Sequence, residues 1–413
     1  MVVDFKTLYG DNEKLQSERY KSLSENFRKF FNDDSNELAY FSAPGRTEVG
    51  GNHTDHQHGR VLAAAVNLDI ISAAVKRDDG IITLKSHEYS KVDIIDTSVL
   101  EPQEAEHEKS ASLIRGICAR CVQLGYKVGG FNAYTTSNVL KGSGLSSSAA
   151  FEILVVTMIS HFYNNGEIDA VTAAQIAQYA ENVYFGKPSG LMDQTASSVG
   201  GFTAIDFNDP SKPVLEKIDF DLKKYGYNLC IVDTKGSHAD LTGEYAAIPF
   251  EMKRIAGHYG KSVLRDVDES VFLKDIAVLR KEYGDRAVLR AMHFFDDNRT
   301  AADEAEALKR GNFELFKELV IRSGRSSLMK LQNVFASSAP QEQGLTLALA
   351  VTEKILDGKG AYRVHGGGFA GTIQAYVPDE LLTAYKSEIE AIYGEGACYV
   401  LSIRNPGGTK VLI

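Results

Sequence analysis

The sequence predicts a mixed α/β protein in two domains, and three observations carry that prediction. The first half interleaves strand-like and helix-like segments. After residue 233 the chain turns almost wholly helical. Near the C-terminus, 360–377 returns to a strand, a glycine loop and a strand. The change of texture sets the domain boundary near 205–225, giving an N-terminal domain over 1–215 and a C-terminal domain over 216–413. A chain of 413 residues has ample length for two buried cores.

In order, residues 1–40 are charged and periodic, with Phe27, Phe30 and Phe31 as an apolar stripe, and read as one or two helices. Leu38 to Ser42 reads as a short strand ending in a turn at 43–46. Val61 to Val66 and Ile70 to Lys76 read as separate buried strands, and Ile81 to Lys85 with Lys91 to Ile95 as an antiparallel pair. Ala111 to Gly125 is helical, 131–135 is a strand, and Ala149 to Tyr163 is a helix apolar on nearly all faces. Ala170 to Tyr184 is a helix with Asp169 as its N-cap, broken at 186–190. Beyond a strand at Asn228 to Asp233, helices are expected at 245–259, 271–283, 285–294, 301–310, 313–323, 342–356 and 378–393, with terminal strands at 399–403 and 410–413.

Composition excludes several classes. A formal net charge of -10 argues against a broad nucleic-acid surface. No apolar run approaches the roughly 20 residues of a membrane span, and the first residues lack the basic and apolar regions of a signal peptide. The expectation is a cytoplasmic protein with small-molecule ligands, no membrane, no nucleic acid and no obligate protein partner. Four cysteines do not make a disulfide framework. Cys118 and Cys121 lack a second metal-spaced pair and read as buried helix thiols, and Cys230 and Cys398 read as core.

Three glycine-bearing segments carry the chemistry: 44–59, 141–152 and 364–372. The second reads Lys141-Gly142-Ser143-Gly144-Leu145-Ser146-Ser147-Ser148 and opens a buried helix. Glycines let backbone approach a ligand, and the first-turn N–H groups with the helix dipole favour phosphate. The serine hydroxyls can bond phosphate oxygens or cap the helix. The run is not a Walker loop, and Ser147 stands where a third glycine would complete G-x-G-x-x-G. By itself it reads equally as a glycine turn before a serine-capped helix. His56, His58 and Asp55 share one loop and permit a metal cluster, while His238 and His365 read as hydrogen-bonding residues.

Taken together, these segments resemble the GHMP kinases, and within them the galactokinases. Arg46 followed by His53-Thr54-Asp55 is similar to the galactokinase signature, and 144–150 to the family's ATP motif. Gly190-Leu191-Met192-Asp193-Gln194 is similar to the segment with the catalytic aspartate, and 364–371 to the third motif. The resemblance implies a two-lobed GHMP-kinase fold: an N-terminal mixed-sheet domain and a C-terminal ferredoxin-like and helical domain. It implies ATP on residues 141–148 and transfer of the γ-phosphate to an anomeric C1 hydroxyl. Asp193 would accept or orient that hydroxyl and Arg46 would stabilise the anionic partners. Asn52, His53, Asp55, Gly190 and Tyr245 would join them at the sugar. Ser148 and Glu181 would hold Mg²⁺.

The first motif departs from the family's pattern. Glu48 replaces a usual asparagine, Gly50 an isoleucine, Asn52 a glutamate and His56 a tyrosine. The missing glutamate is the one expected at the sugar's 6-hydroxyl. Leu140 replaces a proline and Ala370 a glycine in the other two motifs. Asp55-His56-Gln57 also resembles galacturonate kinases, so galacturonate stands beside galactose as acceptor. Mevalonate or homoserine is disfavoured by His53-Thr54-Asp55, and a catalytically inert sugar sensor by the presence of Ser148, Arg46 and Asp193.

Overall fold

The structure is a computed structural model that describes residues 2–33, 37–139, 144–187, 189–236 and 241–413. Its strands are β1 (Val2–Asp4), β2 (Ala39–Gly50), β3 (Arg60–Lys76), β4 (Ile81–Ser86), β5 (Val92–Asp96), β6 (Phe131–Ser137), β7 (Phe202–Asp206) and β8 (Val214–Ile218). They continue with β9 (Tyr227–Asp233), β10 (Ala361–Val364), β11 (Thr372–Pro378), β12 (Cys398–Leu401) and β13 (Thr409–Leu412). The large sheet runs β1-β13-β2-β3-β6-β4-β5, with β7 and β8 attached to β3. The small sheet runs β10-β11-β9-β12, and its strand pairs are antiparallel. The protein is a mixed α/β chain of the two-lobed kind.

Period-two burial explains β3. Leu62, Ala64 and Val66 join the main core, while Val61 and Ala63 pack with Leu191, Met192 and Ala196 on the other face. Further along, Ile71 and Ala73 turn to Tyr20, Leu23 and Phe27 of the helix Glu13–Phe31. The helix Ser147–Tyr163 is buried on nearly every side under this sheet, as its unbroken apolar run requires. In the small sheet, Cys230, Val232, Ile373 and Ala375 pack against the helices Gly344–Leu356 and Leu382–Tyr393.

Four expectations are corrected. The turn at 43–46 is a continuation of β2, with register shifts at Pro44/Arg46 and Glu48/Gly50; a proline without an N–H fits a bulge rather than stopping the strand. The strands expected at 61–66 and 70–76 are one strand, because Asn67 exchanges hydrogen bonds with Ser402 across the gap. The helix expected to Tyr184 ends at Tyr179 and continues as a π-turn, Ala180–Phe185. The helices expected at 285–294 and 301–310 are one, Asp285–Lys309. The last strand, β13, crosses back to pair with β1 and β2 of the large sheet. Among the described residues no helix is long and apolar enough to cross a membrane, and all four cysteines are buried and free.

Candidate active site

Arg46 and Asp193 meet although 147 residues separate them. Arg46 lies where β2 bulges, and Asp193 on the first turn of the helix Met192–Val199. Arg46 Nε donates to Asp193 Oδ1 at 2.8 Å, and its terminal nitrogen lies 2.7 Å from the same oxygen. The Ser146 hydroxyl also bonds Asp193. Withdrawal from water alone would raise the Asp193 carboxyl, but Arg46, Ser146 and Lys187 hold it below its ordinary value. Ser146 sits at the helix N-cap position with left-handed φ of 53° and makes no side-chain capping bond. Of the two roles open to the serine hydroxyls, capping is not the one Ser146 takes: its hydroxyl bonds Asp193.

The three glycine segments converge on this pair. The Arg46 N–H donates to Leu145 O at 3.0 Å, and the Arg46 guanidinium donates to Gly144 O. Gly144 has φ of 71°, and a Cβ there would lie 2.9 Å from His365 Nδ1; only glycine allows that approach. His365, itself in the third segment, bonds Thr372 Oγ1 of that segment at 2.9 Å and Thr47 Oγ1 of the first at 3.0 Å. Burial, with Arg46 and Arg363 nearby, keeps His365 neutral by lowering its pKa well below the ordinary value. Gly144, Leu145 and Ser146 of the second segment are thus placed at the pair, whereas Leu140, Lys141, Gly142 and Ser143, like His238, lie outside the described residues.

Four of the candidate sugar residues are tied to the first and third glycine segments. Gly190 backs onto Asp55: a Cβ there would lie 2.0 Å from Asp55 Oδ2. Asp55 Oδ1 accepts the His56 N–H at 2.9 Å. His53, with left-handed φ of 57°, bonds Gly367 O through Nε2 at 3.0 Å, and burial lowers its pKa to about 4, so it is neutral. The Tyr245 hydroxyl donates to Gly368 O at 2.8 Å, and its ring lies over Gly367. The third glycine segment is therefore held by His53 from one lobe and Tyr245 from the other. Among the described residues no group of three or more His, Cys, Asp or Glu side chains could hold a metal ion, the Asp55-His56-His58 loop included.

Asn52 is placed differently from its sequence expectation. It is fully buried and its hydrogen-bonding capacity is spent inside the protein. Its Nδ2 donates to Glu48 Oε1 at 2.8 Å and to Gly366 O at 2.7 Å. Its Oδ1 accepts from Asn333 Nδ2 at 2.8 Å and Ser327 Oγ at 3.3 Å. Glu48 in turn pairs with the buried Arg363 at 3.1 Å. The two departures at 48 and 52 are thus one exchange: amide and carboxylate have traded places within a bonded pair. Burial raises Glu48 to about 7 against the pull of Arg363. The sequence offered no direct sign of Arg363 or Asn333; the paired departures were the available signal.

Gly50 is explained by the same interior. A Cβ at Gly50 would lie 1.7 Å from Glu304 Oε2, so the glutamate from helix Asp285–Lys309 fills the space of the usual side chain. Neither Glu304 oxygen has a hydrogen-bond partner. Burial holds its pKa well above the ordinary value. A raised carboxyl pKa contributes stability that is present at acid pH and lost as pH rises through the folded-state value. Glu304→Gln removes that loss. In thermal melts from about pH 5 to about pH 9, the Gln variant should gain on the parent by up to about 1.4 kcal/mol per pH unit. A constant difference across that range would contradict it.

Glu181 belongs to a buried polar cluster, and Ser148 is on the helix that carries another of its members, Glu152. Ser148 is in the first turn of its helix, half-buried. Glu181 Oε1 lies 2.8 Å from Lys187 Nζ, and Glu181 Oε2 accepts from Gln194 Nε2 at 2.8 Å. The same amide nitrogen donates to Glu152 Oε2 at 3.1 Å. Glu152 Oε1 and Gln194 Oε1 are buried without a partner. A hydroxyl and a carboxylate are hard oxygen donors and suit Mg²⁺, which commonly takes one or two protein ligands plus phosphates. The carboxylate already faces a cation, Lys187 Nζ, on its open side.

Comparison with known proteins agrees with this geometry. The family described as GHMP kinases N terminal domain matches residues 112–201, and the galactokinase galactose-binding signature matches 25–76. A galactokinase from Streptomyces coelicolor is 28% identical over 85% of this chain and 87% of its own. One from Glaesserella parasuis is 29% identical over 85% and 88%. The fold superposes on Lactococcus lactis galactokinase, solved with galactose, with TM-score 0.81 at 24% identity over 95% of this chain and all 100% of that one. It matches Methanococcus jannaschii mevalonate kinase more loosely, with TM-score 0.63 at 16% identity over 89% and 98%. Both family models, the fold and the Arg46–Asp193 pair thus agree: residues 112–201 match the GHMP kinase N-terminal domain and 25–76 the galactokinase signature, and these relatives indicate an ATP-dependent kinase.

Proposed function

We propose that this protein transfers the γ-phosphate of ATP to the anomeric C1 hydroxyl of galactose or a galactose-like sugar. The observation that carries the reading is the Arg46–Asp193 ion pair at the meeting point of the three glycine segments. Phosphoryl transfer asks a protein mainly for positioning and charge stabilisation. Asp193, ionised by its cationic neighbours, accepts the proton of the C1 hydroxyl or orients it. Arg46 steadies that carboxylate and the charge that develops on the transferred group. The residues of 141–148 hold the phosphates through backbone N–H groups. Ser148 and Glu181 hold Mg²⁺, which neutralises phosphate charge when bound. Asp55, His53, Gly190 and Tyr245 hold the sugar, Asp55 as acceptor of two hydroxyls. Asn52 contributes by bracing the loop rather than by touching the ligand.

A second acceptor, galacturonate, has one observation in its favour. The position of the usual glutamate is neutral and saturated, and the displaced charge on Glu48 is paired with Arg363. A C6 carboxylate therefore meets less repulsion. Coupled ADP release with galactose, galacturonate, N-acetylgalactosamine and arabinose decides among them. Turnover with galactose alone removes the second acceptor; turnover with none of the four removes the kinase assignment of the site in favour of a sensor. Independently, Gly190→Ala should push Asp55 aside and weaken sugar binding about tenfold, roughly 1.4 kcal/mol, while ATP affinity stays unchanged. Unaltered sugar affinity by calorimetry would remove Asp55 from the sugar site.

A further inference from the structure

The cluster behind Asp193 contains two residues with no part in the reaction as described, Glu152 and Gln194. Ser148 and Glu152 are four residues apart on the helix Ser147–Tyr163 and so share a face, with Glu152 one turn deeper. Gln194 immediately follows Asp193. Both Glu152 and Gln194 are fully buried, and Glu181 is 3% exposed. An amide nitrogen has two hydrogens, and Gln194 gives one to each carboxyl, at 3.1 Å to Glu152 and 2.8 Å to Glu181. The remaining Glu181 oxygen faces Lys187. Glu181 comes from the π-turn Ala180–Phe185, which continues the helix Ala170–Tyr179.

We propose that Gln194 and Glu152 are positioning residues for Glu181: Glu152 anchors the Gln194 amide, the amide fixes one Glu181 oxygen, and the other oxygen, bonded here to Lys187, is the one left to take a divalent metal in place of that ammonium. This rests on the reading of Glu181 as a holder of Mg²⁺. It also gives one short helix two tasks, since Met192–Val199 carries both Asp193 and the anchor of the metal carboxylate. Partners that orient a ligand in this way commonly matter 10–100-fold, on the order of the effect expected here.

The test measures Mn²⁺ binding to the protein–ADP complex by the electron paramagnetic resonance of free Mn²⁺, with no turnover involved. Glu181→Gln should weaken Mn²⁺ binding about tenfold or more, and Gln194→Leu roughly 10–100-fold. Glu152→Leu should resemble Gln194→Leu. Glu152→Gln keeps an acceptor oxygen and should stay within about threefold of the parent. Gln194→Leu added to Glu181→Gln should have no further effect. Gln194→Asn, one methylene too short to span both carboxyls, replaces the Leu variant if that one does not fold. ADP affinity in EDTA should be unchanged throughout. If Glu181→Gln leaves Mn²⁺ affinity unaltered, the metal reading falls and this proposal with it. If Glu181→Gln weakens binding but the Gln194 and Glu152 variants do not, the positioning role alone is overturned.

Discussion

Asp193→Asn is expected to lower kcat by about 10²–10⁴, the range of a positioned proton acceptor, with sugar and ATP affinity nearly unchanged. The isostere keeps the shape and one carbonyl oxygen but removes the charge that Arg46 and Ser146 address. Calorimetric Kd values alongside steady-state kcat separate chemistry from binding. Retained kcat would remove Asp193 from the reaction. The pH profile gives a second check with a definite sign. Arg46 is the leading group opposing the rise that burial would cause in the Asp193 pKa. The acid limb of kcat in the parent therefore lies below the ordinary carboxylate range. Arg46→Met removes the cation, so the limb should move to higher pH, along with a fall in kcat. A limb that does not move would mean that the titration seen belongs to another group.

Asn52→Glu, which restores the usual glutamate of the family's pattern, should destabilise this protein by roughly 3 kcal/mol, because it buries a second carboxylate without its own partner. The new group would face Glu48, now 2.8 Å from the Asn52 amide, and the carbonyl of Gly366 at 2.7 Å. Among the described residues Arg363 is the single guanidinium bonded to Glu48, and its other nitrogen donates to Val49 O at 2.8 Å. Glu48→Asn with Asn52→Glu re-forms the carboxylate–amide pair in the opposite sense and should recover most of the loss. Urea unfolding of the two single variants and the double gives the coupling directly. Additive effects would show that 48 and 52 are independent, against the bonded exchange described above.

Much of the site was legible because its chemistry is carried by short local runs. The glycine segments, Arg46, His53-Thr54-Asp55 and Asp193 declare themselves by residue type and order. In the structure Arg46 pairs with Asp193 and Gly190 lies against Asp55. What misled was direction. Asn52 read as a group facing the sugar, yet it faces Asn333 and Gly366, 281 and 314 residues away. Ser146 read as a hydroxyl for phosphate or for a cap, and it bonds Asp193. Residue type fixes what a side chain can bond, whereas its direction depends on which distant segment arrives beside it.

The same division holds for the fold. Period-two and period-3.6 patterns alone determined that strands and a fully apolar helix would form, and that the glycine loop would precede that helix. Only the tertiary structure decided where elements ended: Asn67 and Ser402 make β3 continuous, and the chain passes Pro44 by a bulge instead of a turn. Only it returned β13 to the first sheet. The replacement of isoleucine by Gly50 was visible from the start as an oddity of the first motif. Its cause, a Glu304 carboxyl filling that volume from a helix more than two hundred residues later, exists only once the two lobes are packed, because close packing is a property of pairs of surfaces.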